Sequence, residues 1–251
     1  MTENWKQQIG LPLIQSGIVF GPFNSIDEGY QLESRSVPSP DEKENTESVA
    51  YMQGQYDFSA LDNERYFKNR ELTFELTRYH AEYTSRSRLE NELKRRLMPL
   101  PIQSITDTHL PSGRHWRGKV KSISVTDDTD KRALLATIVF DAYPFAIAET
   151  AEGDQTWNNI YFPEDVFQEV DFDVVDGTDQ KIVLINPGDS RLSPTILVTG
   201  TVTITGDLFG AVTLPAGDYS DTEIALLEGI NYLTLSGSGH VTFNFNKEVM
   251  Y

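Results

Sequence analysis

The chain has 251 residues, no cysteine and a formal net charge of −17, from 38 acidic and 21 basic residues. The lack of cysteine excludes disulfides and thiolate metal sites. The negative charge argues against binding to a nucleic-acid backbone, because phosphate contacts depend on Lys and Arg. The polar start MTENWKQQIG and the absence of a long apolar run predict neither a secretion signal nor a membrane span, so we expect a protein made and kept in the cytoplasm.

The negative charge is concentrated in the second half of the sequence. Residues 1–148 carry 18 Lys and Arg against 21 Asp and Glu, whereas residues 149–251 carry 3 against 17. The net charges of the two parts are therefore −3 and −14. This difference favours two domains of distinct surface character.

The first fifty residues alternate short apolar pieces with turn-forming residues. The segment at about 34–48 is rich in Pro, Ser and charged residues. Such a composition predicts an exposed arm or loop.

The stretch YFKNRELTFELTRYH, Tyr66 to His80, contains a regular alternation of apolar and polar residues. Leu72, Phe74 and Leu76 fall on one face, which predicts a half-buried strand. An aromatic pair and the polar phrase Lys68-Asn69-Arg70 precede this strand.

The segment YTSRSRLENELKRRLMPLP has leucines at every fourth position, which predicts one amphipathic helix packed on the sheet. Ser87 and Glu90 have the spacing of a capping box, and Pro99 supplies a stop. Lys94, Arg95 and Arg96 would form its solvent-facing C-terminal end. The leucines of the stripe are Leu89, Leu93 and Leu97.

A predicted β-hairpin and a change in composition follow the helix. GKVKSISV and RALLATIVFDAYPF flank a polar turn at residues 126–130. From residue 149 the chain consists of short β pieces separated by Gly, Pro and Asp, which predicts an antiparallel β-sandwich of about a hundred residues. We place the domain boundary near residues 142–152, with domains at 1–147 and 148–251.

No set of residues predicts catalysis, a cofactor or a metal site. The histidines have no ligand spacing, and the acidic run DFDVVDGTD lacks the EF-hand pattern, so Asp176-Gly177 is interpreted as a hairpin turn. SGSGH lies between two predicted strands, where it cannot place a helix N-terminus under a phosphate. The residues considered are His80, His109, His115, His240, Asp171, Asp173, Asp176 and Asp179.

The phrase GRHWRGK, Gly113 to Lys119, allows two interpretations. Trp116 beside Arg114 and Arg117 would suit stacking on a sugar or a base. The alternative, which we favour, is that Trp116 packs over the sandwich and the charges are solvated. In an oligomer the two arginines would meet an acidic neighbour.

Several stretches together resemble the distal tail protein (Dit) family of long-tailed phages that infect Gram-positive bacteria. In the first half these are YMQGQYDFS, YFKNRELTFEL, RLENELKRRL and IVFDAYPFAI, in the order found in the family. In the second half, VLINPGDSRLSPTILVTGTVTI and GINYLTLSGSGHVTFNF look like the signatures of its C-terminal domain. The similarity spans nearly the whole chain.

The resemblance implies a mainly β fold with two parts. The first is a ring-forming, tail-tube-like β-sandwich with one α-helix, and the second is a galectin-like antiparallel β-sandwich. The length is that of compact members of the family, which lack an inserted carbohydrate-binding module.

The resemblance also implies a structural, non-enzymatic role. Such proteins form a hexameric hub of the tail tip or baseplate, between the tail tube and the adsorption proteins, around the passage for DNA. The expected partners are further copies of the chain, the major tail tube protein, and tail fibre or receptor-binding proteins. We expect no membrane and no sequence-specific nucleic acid among its partners.

Six residues are predicted to contribute to the contact between copies. Aromatic residues supply contact area and Arg supplies forked hydrogen bonds, so these residue types suit an interface. Arg70 would fix either a turn or the subunit contact; the alternative is an arginine at the start of the strand, paired with a surface carboxylate. The predicted interface residues are Tyr66, Phe67, Arg70, Arg114, Trp116 and Arg117.

Two other functions were weighed against the structural one. The second half would bind cell-wall carbohydrate if it used Trp157, Arg191 and His240, but their order does not match that of galectins. A wall-degrading glycosidase would need a pair of carboxylates, and no pair stands out in so acidic a chain.

Overall fold

The structure, a computed structural model, describes residues 15–60, 64–79, 83–128, 133–154 and 164–251. Two compact units are present: residues 1–146 together with Tyr251, and residues 147–250. The described residues are 51% strand and 6% helix, which confirms the mainly β prediction.

The N-terminal unit is built on one large antiparallel sheet. Its strands run in the order β2-β1-β7-β8-β9-β6-β3, and a separate two-stranded ribbon, β4-β5, lies between β3 and β6 in sequence. The elements are β1 Ile18–Phe20, β2 Phe23–Asn24, β3 Gln31–Ser36, β4 Thr46–Glu47, β5 Tyr56–Asp57, β6 Arg70–Arg78, α1 Tyr83–Leu97, β7 Gln103–Asp107, β8 Arg114–Asp128 and β9 Ala133–Ala142.

The alternation predicted for β6 is confirmed. Leu72, Phe74 and Leu76 are fully buried, and β6 pairs with β3 on one side and with β9 on the other. The ring of Phe74 packs edge-on to Phe140 of β9, 5.9 Å between centroids. Strand β6 therefore contributes three fully buried residues to the N-terminal core.

The single described helix, α1, packs its leucine stripe on this core, as predicted. Leu93 and Leu97 are buried and Leu89 is partly buried against the same cluster. The capping box predicted at Ser87 is wrong, because α1 begins at Tyr83 and Ser87 lies inside it. The helix ends at Leu97, before the predicted proline stop.

The predicted β8-β9 hairpin is present, but its turn begins later than expected. Residues 126–128 belong to β8 and pair with β9, because the strand pairing continues through residues that sequence alone marks as turn formers. The rest of the predicted turn, residues 129 and 130, lies outside the described residues.

The C-terminal unit contains a five-stranded antiparallel sheet. The long strand β15 pairs with β13 along one edge, while β11 and β12 pair with successive parts of the other edge. The elements of this part of the chain are β10 Ala146–Ala148, β11 Asp171–Val174, β12 Gln180–Asn186, β13 Thr195–Gly206, β14 Gly210–Tyr219, β15 Gly229–Asn244 and β16 Glu248–Val249.

Two predictions for this unit need correction. The turn at Asp176-Gly177 does not form a hairpin, because β11 and β12 both pair with β15 and, among the described strands, not with each other. SGSGH does not separate two strands, since β15 runs through it.

Glycine explains how β15 continues. Gly239 lies opposite Gly200 of β13, and both have positive φ, +147° and +88°. A Cβ on Gly239 would lie 1.8 Å from the main-chain oxygen of Thr199. The irregularity next to Gly200 bends the strands, and residues before and after it share one core cluster.

Candidate functional site

Arg70, the first residue of β6, lies inside the N-terminal unit. It is 3% exposed, and its Nη1 donates to the main-chain oxygens of Tyr251 (2.5 Å) and Pro38 (3.3 Å). Its Nε and Nη2 have no hydrogen-bond partner among the described residues. Burial, and then the charge of Arg35, lowers the pKa of Arg70 to about 10, so the group stays charged at neutral pH. Arg70 thus binds the segment that follows β3, through the main-chain oxygen of Pro38.

Trp116 of β8 is fully buried below two guanidinium groups. The Cζ atoms of Arg35 and Arg70 lie 5.9 and 5.7 Å from its ring centroid. Arg35 Nε also lies 3.3 Å from the buried carboxylate of Asp107. Trp116 therefore has the packing position that we favoured, and a buried ring has no free face for a sugar or a base.

The other two arginines of the predicted interface differ in exposure. Arg114 is 8% exposed, and its Cζ lies 5.4 Å from the ring centroid of Tyr251. It is buried, not solvated as expected. Arg117 is exposed on β8, and its main-chain oxygen accepts a hydrogen bond of 2.8 Å from Tyr143.

The aromatic pair in front of β6 supports the base of the β4-β5 ribbon. Lys43 N donates to Tyr66 O at 2.7 Å, and Phe67 forms an isolated bridge with Glu42. The ring of Phe67 packs edge-on to that of Phe145, 5.8 Å away. The polar phrase between the aromatic pair and β6 also contributes, since Lys68 N donates to the main-chain oxygen of residue 41 at 2.7 Å.

The assignment of six residues to an interface stays a prediction. A buried side chain has no surface to offer to a neighbouring copy, so buried members would act only by positioning others. Tyr66 and Arg117 are exposed, Phe67 is half-buried, and Arg70, Arg114 and Trp116 are buried.

The ribbon and its flanks form a projection that we call the arm, residues 41–60. Its apolar side chains belong to neither core cluster. Tyr51 at its tip is fully exposed and Tyr56 is 54% exposed. Tyr56 also stacks on Phe58, 6.1 Å between centroids. The arm includes the C-terminal end of the loop predicted at 34–48. Its aromatic residues, which lie in YMQGQYDFS, were not predicted as a site.

The solvent face of α1 carries a patch that we call the basic stripe. Its residues line a shallow pocket of about 600 Å³. Arg96 is held by Glu28 through two hydrogen bonds of 2.9 and 2.7 Å, which raises the pKa of Arg96. The basic stripe consists of Ser87, Arg88, Asn91, Glu92, Arg95 and Arg96.

The C-terminal unit also contains a buried cation. Lys247 is 2% exposed, and its Nζ donates to the Glu164 main-chain oxygen at 2.6 Å and to the carboxylate of Asp165.

The side-chain amide of Gln168 donates to Ile185 O at 2.7 Å and accepts from Ile185 N at 2.8 Å. Gln168 therefore satisfies main-chain groups of β12 on its outer edge.

One outer face of the C-terminal sheet is unexpectedly apolar. Val183 of β12 lies opposite Tyr232 of β15, and Ile185 lies opposite Ile230. Val183, Ile230 and Tyr232 are exposed. These outward-facing residues were not predicted from the sequence.

Three residues considered as metal or sugar ligands, His240, Asp171 and Asp173, contact other side chains on the surface of the C-terminal sheet. His240 Nδ1 lies 2.9 Å from Asp173, and Thr242 donates to Asp171 at 2.6 Å. Within the described ranges no three His, Cys, Asp or Glu residues are grouped to hold a metal ion. His80 and Trp157 lie outside the described residues.

The described helix, α1, is not long and apolar enough to cross a membrane.

Comparison with known proteins identifies the fold through structure and not through sequence. No family profile and no curated protein matches the sequence. The SPP1 Dit protein, described as a paradigm of the hub adsorption apparatus in phages that infect Gram-positive bacteria, matches with a TM-score of 0.62 and 14% identity over 92% of this chain and 98% of that chain. A chain of the phage P2 baseplate in its activated conformation matches with a TM-score of 0.40 and 9% identity over 94% and 98%. The chain therefore shares the fold of the SPP1 Dit protein over most of its length.

Proposed function

We propose that the protein is a structural hub of a phage tail tip, in which copies of the N-terminal unit close into a ring. The observation that carries this proposal is the Dit-like fold over 92% of the chain. The hub joins the tail tube to the adsorption proteins and surrounds the passage for DNA. The mechanism is scaffolding.

The ring is proposed to contain six copies, and its place is the virion tail tip after synthesis in the host cytoplasm. Its neighbours are the major tail tube protein on one side and tail fibre or receptor-binding proteins on the other. The C-terminal unit, in the part of the chain with a net charge of −14, faces outward and attracts basic segments of the adsorption proteins. This attraction should weaken steeply as salt is added.

The solution mass of the purified full chain tests the ring. Light scattering on a size-exclusion column should give six times the chain mass of 28.3 kDa, and negative-stain images should show closed rings. A monomer at every concentration, both alone and with tail tube protein, would contradict the proposal. Binding of that monomer on a glycan array would then favour the carbohydrate-binding alternative.

A further inference from the structure

The arm is a surface that the N-terminal unit leaves uncovered. Its strands β4 and β5 pair only with each other among the described strands. Val49, Tyr51, Tyr56 and Phe58 are all exposed. Exposed aromatic residues grouped on one projection mark an interaction site.

The tip of the arm holds Tyr51 in an uncommon backbone conformation. Its φ is +68°, and among the described residues no other non-glycine residue has a positive φ. A bulky residue in the left-handed region costs free energy. Backbone strain at a residue whose aromatic ring is fully exposed is typical of a functional contact.

Hydrogen bonds within the arm connect its two ends. Phe58 N donates to Asn45 O and Asn45 N to the Ser59 hydroxyl, both at 2.8 Å. Its base is fastened by the Glu42-Arg65 ion pair. Little conformational entropy is therefore lost when the arm docks.

Charge identifies the partner surface. Residues 41–60 contain five Asp and Glu against one Lys, a net charge of −4, so two arms repel each other. The basic stripe on α1 has the opposite character, and its Arg88 and Arg95 are exposed without a side-chain hydrogen bond or ion pair to any described residue. Its pocket of about 600 Å³ accommodates side chains, and Arg attracts both carboxylates and aromatic faces.

We propose that the arm of one copy docks on the basic stripe of α1 in a second copy of this chain. The glutamates of the arm pair with Arg88 and Arg95, and its tyrosines lie against the guanidinium groups. Two different patches meet, so the contact is heterologous and repeats from copy to copy, closing a ring or extending a filament. The inference rests on the proposed hub function and names the contact that would build its ring.

A disulfide trap tests the contact directly, because the chain has no cysteine of its own. Ser48→Cys places a thiol on the arm and Asn91→Cys places one on the stripe, both at exposed positions. The double variant should give a ladder of covalent oligomers under mild oxidation. Each single variant should stay monomeric in the same gel, and Ser48→Cys with Lys181→Cys, an exposed site in the C-terminal unit, is the matched control.

Charge reversal provides an independent measurement. Arg88→Glu with Arg95→Glu should weaken self-association at least tenfold, and Glu44→Arg with Glu47→Arg should do the same. Combining the four substitutions should restore association, while Lys181→Glu should leave it unchanged. All these residues are exposed, so circular dichroism should show a preserved fold.

The outcomes separate this inference from the hub proposal. Wild-type rings with no ladder, or with unchanged association after reversal at the stripe, would overturn the arm contact and leave the hub intact. Dimers from Ser48→Cys alone would show an arm-to-arm contact and also overturn it. A ladder that forms as an open filament would support the contact and contradict the closed ring.

Discussion

The two units bury a cation in different ways. In the N-terminal unit, Arg70 is 3% exposed and is held by main-chain oxygens and the ring of Trp116. In the C-terminal unit, Lys247 is 2% exposed and is held by the carboxylate of Asp165 and a main-chain oxygen. One buried cation is paired with a side-chain carboxylate, and the other is held by main-chain oxygens and an aromatic ring.

The difference follows from the chemistry of the two side chains. A guanidinium spreads its charge, is weakly hydrated and stacks on aromatic faces, which suits the contacts of Arg70 with main-chain oxygens and the ring of Trp116. An ammonium is a compact, strongly hydrated charge, so burial of Lys247 needs an anion. We therefore expect removal of the cation to lower the free energy of unfolding by different amounts at the two sites.

The largest effect is expected in the C-terminal unit. Lys247→Ala leaves the carboxylate of Asp165, whose side chain is 12% exposed, without its ion-pair partner. The free energy of unfolding should fall by about 3–5 kcal/mol. Urea unfolding followed by circular dichroism measures it, with the exposed Lys181→Ala as control. If Lys247→Ala lost no more than Lys181→Ala, the ion pair would not be the stabilising feature.

A smaller effect is expected for Arg70→Met. The substitution removes two hydrogen bonds but also the desolvation cost of a buried charge, and these two contributions to the free energy of unfolding partly offset each other. We expect the free energy of unfolding to fall by about 1–2 kcal/mol. The same urea measurement checks it. A loss as large as that of Lys247→Ala would remove the distinction between the two sites.

The smallest effect concerns an exposed pair outside both cores. The hydrogen bond from Arg65 lowers the pKa of Glu42, so the pair contributes stability above the ordinary carboxyl pKa and loses it as the pH falls through the folded-state pKa. Arg65→Gln should return the pKa of Glu42 to its ordinary range. An NMR titration of the Glu42 side chain measures this, and an unchanged pKa in the variant would show that Arg65 is not its cause.

The sequence was most informative for segments in which a single periodic pattern of apolar residues packs on a single core. The alternation in β6 and the leucine stripe of α1 each place apolar residues on a single face, and burial of that face decides the local structure. The predicted capping box at Ser87 failed because the residues before it, from Tyr83 onward, are also helical. Boundaries depend on such local competition, so they were less predictable than the elements.

The candidate site was harder to predict than the elements. The types of Arg70, Arg114 and Trp116 suggested an interface, but no pattern within one sequence shows that Arg70 meets Tyr251, 181 positions away. The arm shows the reverse case. Its aromatic residues were not predicted as a site, and only the structure shows that they pack against neither core.

The sequence by itself therefore determined the fold class, the single amphipathic helix, the inward faces of the strands and the contrast in charge between the two halves. These properties follow from local spacing and composition. Only the tertiary structure decided that β15 continues through SGSGH, that three of the six predicted interface residues are buried, and that the aromatic arm is exposed. Each of these depends on which distant segments meet: backbone pairing opposite Gly239, burial of Arg70 beneath the chain after β3, and the absence of any described partner strand for the arm.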